Sequence, residues 1–88
     1  MSLEDTIDYL ERYIEMEKIR SDHFTATITV DDRLQPADIM LPPMLIQPFI
    51  ENAIWHGTLA KNNLNVQVRF IKEENELVCV VDDNGMGI

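Results

Sequence analysis

Leu3, Ile7, Leu10 and Ile14 recur at spacings of four, three and four residues. That spacing puts them on one stripe and predicts a helix over residues 3–21. Tyr9, Tyr13 and Met16 form a flanking stripe, so the helix is expected to pack on more than one side, a partner helix included. From residue 24 the period changes to two. Phe24, Ala26, Ile28 and Val30 alternate with Thr25, Thr27 and Thr29, which predicts a half-buried strand. Residues 33–41 hold a proline and no period and read as a loop. Pro42-Pro43 suits the opening of a second helix, where a missing N–H costs nothing. This helix is expected to run to about His56, with Ile46, Phe49, Ile50 and Ala53 on its apolar face and Glu51, Asn52 and Trp55 on the other. Pro48 would distort its first turn, and Gly57 fits the left-handed position that ends many helices. Val66, Val68 and Phe70 alternate in a second strand, and Lys72 to Glu76 is a polar connection. Leu77 to Val81 is apolar on both faces and is expected to be a central strand. The expected class is α+β: a long N-terminal helix, then a helix packed on a mainly antiparallel sheet.

Composition narrows the function. With 88 residues the chain makes one small domain, and its 45% hydrophobic and 26% charged residues are globular values. No apolar run approaches the ~18 residues of a membrane span, so no membrane contact is expected. The formal net charge of −9 opposes binding to nucleic acid or anionic lipid. A phosphate ligand would therefore need a divalent cation. The single cysteine, Cys79, lies in an apolar run and reads as a small buried hydrophobe in a reducing compartment. Met1-Ser2-Leu3 is given no weight as native sequence. The chain stops at Ile88, just past a glycine-rich turn, with no closing element, so a piece of a longer domain is expected.

Two segments carry chemistry. In Gln47 to Gly57, Asn52 and His56 are four apart and so neighbours on a helix. A neutral oxygen donor beside the acidic Glu51 is a plausible Mg²⁺ environment, because that ion prefers oxygen and keeps several waters. The plainer reading is two polar residues facing water at the end of a helix. In Asp83-Asn84-Gly85-Met86-Gly87 the glycines let backbone approach a ligand, and a carboxylate can accept a hydrogen bond from an exocyclic amine. Asn-Gly is also a strong hairpin signal.

Taken together and in this order, the segments QPFIENAIWHG and DDNGMGI, with YIEMEKIR at residues 13–20, resemble the asparagine box and first glycine box of the histidine-kinase ATPase domain. The resemblance is to LytS/YehU-type sensor kinases within the Bergerat-fold superfamily, and it covers nearly the whole chain. It implies a partial two-layer α/β sandwich. Residues 1–21 would be the end of a dimerisation helix with its linker, and residues 22–88 the N-terminal half of the ATP-binding domain. It implies ATP and Mg as ligands, with Asn52 holding the metal and Asp83 binding the adenine amino group. Gly85 and Gly87 would shape the nucleotide loop, and His56 and Gly57 would close the helix beside the pocket. No residue of the chain is assigned a catalytic role.

The parent would be a two-component protein-histidine kinase that moves phosphate from ATP to a histidine outside this chain. It would sit on the cytoplasmic side of the membrane as a homodimer and pass phosphate to a response regulator. The chain departs from the family pattern at two positions. Trp55 stands where many relatives carry Lys or Arg. Pro48 stands where hydrolysing members carry a glutamate base, which argues for transfer to a protein over hydrolysis. His23 lacks an acceptor context. The chain alone is therefore expected to be inactive. One alternative is an interaction module that dimerises without nucleotide. Another is a metal-dependent hydrolase using His23, His56 and the Asp pairs, for which the residue spacings give no good site.

Overall fold

The computed structural model describes residues 1–20, 24–60 and 64–83, the backbone alone at 56–60, 64 and 83. The order is α1 (Leu3–Arg20), β1 (Phe24–Val30), a 3₁₀ turn (Pro36–Asp38), α2 (Gln47–Ala60), β2 (Leu64–Glu73) and β3 (Glu76–Asp83). The class is α+β, as the periodicities predict. The three strands form one mixed sheet in the order β1-β2-β3. β1 runs parallel to β2, with Phe24 beside Leu64 and Val30 beside Phe70. A parallel pair needs a long crossover, and α2 supplies it. β2 and β3 form the longer, antiparallel ladder, from Val66 opposite Asp83 to Glu73 opposite Glu76. A turn of Glu74 and Asn75 joins them, with Glu74 at φ 55°, the positive region that tight hairpin turns require. The expected five-residue connection from Lys72 is thus much tighter, because Lys72 and Glu73 both pair in the ladder.

The core lies between the sheet and the two helices. Leu3, Leu10 and Ile14 of α1, Ile50 and Ile54 of α2, Phe24 of β1 and Val66, Val68 and Phe70 of β2 are all buried. Leu77, Cys79 and Val81 pack against them from β3. β1 keeps its predicted alternation, its threonines facing out. The stripe Leu3, Leu10 and Ile14 of α1 finds its partner surface within its own chain, while Tyr9 and Met16 of the flanking stripe stay exposed. Met1 to Leu3 also belong to the fold. Leu41 N–H donates to the Met1 carbonyl at 2.7 Å and Leu3 N–H to the Ile39 carbonyl at 2.7 Å. Ser2 Oγ accepts the Asp5 N–H at 3.0 Å, capping α1.

Three sequence expectations are corrected. First, α2 opens at Gln47, not at Pro42-Pro43. Met44, at φ 63°, turns the chain before the helix begins, and the Ile46 carbonyl accepts from the Phe49 and Ile50 N–H groups. Pro48 then falls in the first turn, where its lack of an N–H does no harm. Second, α2 stays helical through Gly57 to Ala60. Its buried line is Gln47, Ile50 and Ile54, while Phe49 is 72% exposed. Third, β3 is an edge strand among the described residues, and β2 is central. Val78 and Val80 are only half-buried, opposite Ile71 and Arg69.

A polar clasp closes the end of β1. The Asp31 carboxylate accepts from Arg33 Nη2 at 2.6 Å, Arg33 Nε at 3.0 Å, Arg33 N–H at 3.0 Å and Lys72 N–H at 3.1 Å. Arg33 Nη2 also donates to the Lys72 carbonyl at 2.9 Å. The Arg33 fork, helped by these backbone donors, holds the Asp31 carboxyl well below the usual carboxylate range. A depressed folded pKa gives stability that is complete above the unfolded value of 3.8 and is lost as pH falls below it. Asp31→Asn is therefore expected to lower Tm at neutral pH, with the gap to wild type closing below pH 3.8. Thermal melts across that range check it, and a gap independent of pH would refute the clasp.

Candidate functional site

α2 positions the first predicted segment. Its buried line faces the sheet, and a rotation of about 100° per residue carries Asn52 to nearly the opposite side. Asn52 is exposed. His56 and Gly57 lie on the helical backbone of α2, and their side chains are outside the described ones. β3 positions the second segment and ends at Asp83, whose backbone pairs opposite Val66. The Asp83 side chain, Gly85, Gly87 and His23 lie outside the described residues.

Between α2 and β3 an open groove of about 420 Å³ is lined by Leu45, Ile46, Phe49, Cys79 and Val81. That volume lies in the range of small-molecule sites, which are mostly apolar with a few placed polar groups. The groove opens one helical turn before Asn52 and two residues before Asp83. Neither Asn52 nor Asp83 is among the described residues that line the groove. Sequence reasoning missed Phe49 and Cys79 as lining residues. Phe49 could have been found from its spacing, three residues before Asn52. Partial burial pushes the Cys79 thiol above its ordinary value and keeps it protonated. A smaller recess of about 300 Å³, lined by Arg33, Leu34 and Leu77 among others, lies toward the hairpin end of the sheet, away from both segments.

The other exposed flank of α2 faces α1. Tyr9 Oη donates to Glu51 Oε2 at 2.5 Å. That hydrogen bond, with burial and the carboxylate charge, raises the Tyr9 pKa. Further along, the Arg20 guanidinium lies 4.4 Å from the centroid of the Trp55 ring and also pairs with Glu17. Among the described residues no helix is long and apolar enough to cross a membrane, and no three His, Cys, Asp or Glu side chains converge on a metal-sized site.

Sequence comparison decides the relationship. Over 87 residues, 97% of this chain, it is 34% identical to the sensor protein LytS of Oceanobacillus iheyensis. Over its whole length it is 35% identical to the sensor histidine kinase/phosphatase LytS of Staphylococcus aureus. The chain is homologous to a segment of the LytS sensor histidine kinases. It spans 14% and 15% of the length of these two relatives. No protein-family model matches it. The α+β fold is compatible with a partial two-layer α/β domain.

Proposed function

We propose that this chain is the first half of the ATP-binding domain of a sensor histidine kinase, with the end of the dimerisation helix in α1. The observation that supports the reading is the apolar groove between α2 and β3, lined by Phe49 one turn before Asn52 and by Val81 two residues before Asp83. The donor set fits Mg·ATP. Phe49, Cys79 and Val81 offer an apolar wall for a flat base, and Asp83 follows on the same strand to accept from its amino group. Asn52, a neutral oxygen donor facing outward, would hold Mg²⁺. His56 and Gly57 lie one turn further along α2, and Gly85 and Gly87 would let backbone close on the nucleotide. The bound metal would neutralise phosphate charge that a chain of net charge −9 otherwise repels.

The residues of this chain bind and orient the nucleotide. The γ-phosphoryl goes to a histidine outside it, and from there to a response regulator. Pro48, in the first turn of α2, offers no base to activate water. The parent kinase would work at the cytoplasmic side of a membrane as a homodimer, and the chain alone would transfer nothing. A second reading, an interaction module without nucleotide, has one observation in its favour: Phe49, Leu45, Met16 and Ile19 are exposed.

Titration with Mg·ATP separates the two. With only part of a site present, Kd is expected near 1 mM, about −4 kcal/mol. Asn52→Ala should abolish measurable binding. Absence of binding at roughly ten times that concentration would favour the interaction module. Micromolar binding that survives both Asn52→Ala and Asp83→Ala would show that the site lies elsewhere.

A further inference from the structure

The α1–α2 seam holds a basic group that the nucleotide reading does not use. α2 carries no Lys or Arg anywhere from Gln47 to Ala60. The cation set against it comes from α1, 35 residues earlier in sequence, as Arg20 over the Trp55 ring. Helical geometry places Asn52 about 60° from Trp55 on one side and about 60° from Phe49 on the other. Asn52 therefore stands between the groove and Arg20. Arg33 and Arg69 are committed away from α2: Arg33 to Asp31 at 2.6 Å, and Arg69 to Asp82 at 2.9 Å.

We propose that Arg20 is a phosphate-binding residue of the nucleotide site, a cation that α1 lends to α2. The proposal rests on the nucleotide reading above. The Trp55 ring, its centroid 4.4 Å from the guanidinium carbon, covers one side of the group. The N–H donors lie in the guanidinium plane, at its edge. Glu17 takes one of them through Nη2. The Arg20 side chain is still 53% exposed, so others face solvent. A guanidinium has five donors and can serve a carboxylate and a phosphate together. Held by the ring, it loses little freedom when it engages an anion. Because Arg20 is the last residue of α1, phosphate contact there would also bind the two helices to the same ligand.

The test titrates the whole 88-residue chain with Mg·ATP, Mg·ADP and adenosine. The readout is NMR, where Trp55, the one tryptophan, gives a single indole N–H resonance. Circular dichroism first checks that each variant keeps its fold. Arg20→Gln is expected to weaken Mg·ATP about tenfold, the loss typical of a charge-assisted hydrogen bond, while changing adenosine less than about twofold. Arg20→Lys keeps the charge and should recover part of the loss. An equal loss for Mg·ATP and adenosine would make Arg20 a helix staple only and overturn the proposal. So would unchanged Mg·ATP affinity in Arg20→Gln while Asn52→Ala abolishes binding, and in that case the nucleotide reading stands. If wild type binds none of the three, the nucleotide reading fails and this proposal fails with it.

Discussion

Replacing Phe70 with alanine is expected to remove a large share of the chain's stability at room temperature. Phe70 lies on the central strand and is 1% exposed. Val30 stands beside it on one side and Cys79 on the other. Its carbonyl accepts the Asp31 N–H at 2.8 Å, the bond that carries the chain from β1 into the polar clasp. Truncating a buried phenylalanine costs about 3–5 kcal/mol, because the lost transfer energy is joined by a cavity that neighbours fill only in part. A chain of this size has a total of roughly 4–13 kcal/mol to lose. Phe70→Leu keeps most of the volume and should cost less than about 1.5 kcal/mol. Urea titrations followed by circular dichroism give the comparison. A midpoint for Phe70→Ala close to that of Phe70→Leu would mean the core is not centred on β2.

Much of this core was legible in the sequence, and its limits are physical. The alternation from Phe24 to Val30 marks a strand whichever neighbour it finds, because period two is a property of the backbone itself. The stripe Leu3, Leu10, Ile14 is legible for the same reason, and Thr6 joins its buried side because its Oγ1 donates to the Ser2 carbonyl. The opening of α2 was misplaced because proline at the first turn is a signal that occurs twice, at Pro42-Pro43 and at Pro48. The turn that decides between them uses Met44, a residue no turn rule favours at positive φ. Which line of α2 is buried depends on where β2 lies beneath it, so Ile54 could replace Phe49 without any local sign. Strand order is equally non-local: Leu77 to Val81 looks central by composition yet lies at the edge among the described residues.

At the site, Asn52 was legible as an outward-facing polar residue. The groove joins residues more than 30 positions apart, and the Arg20–Trp55 contact joins two helices, so neither has a local signature.

The edge position of β3 carries the other large expected effect: the chain should dimerise, and more strongly as salt rises. Among the described residues β3 pairs only with β2, which leaves its outer backbone groups as a template for another strand. Beside that edge, Phe49 and Leu45 are 72% and 50% exposed, an apolar surface that a second copy can cover. A two-fold antiparallel pairing of β3 with itself, centred near Cys79 and Val80, sets Glu76 against Asp83 of the other copy at both ends. Like charges directly opposite one another are unfavourable, and the net charge of −9 adds to the repulsion. Salt weakens these terms, since the screening length falls from about 30 Å at 0.01 M to about 10 Å at 0.1 M, while apolar burial is unaffected. Sedimentation equilibrium at micromolar concentration should therefore move from 10.2 kDa toward twice that mass as salt is added. Val78→Lys places a charge on the open edge strand, where its partner Ile71 lies on the half-buried outer face. The variant should stay monomeric at every salt concentration with its fold intact. A wild-type chain that remains at 10.2 kDa throughout would show that the edge is not a pairing surface.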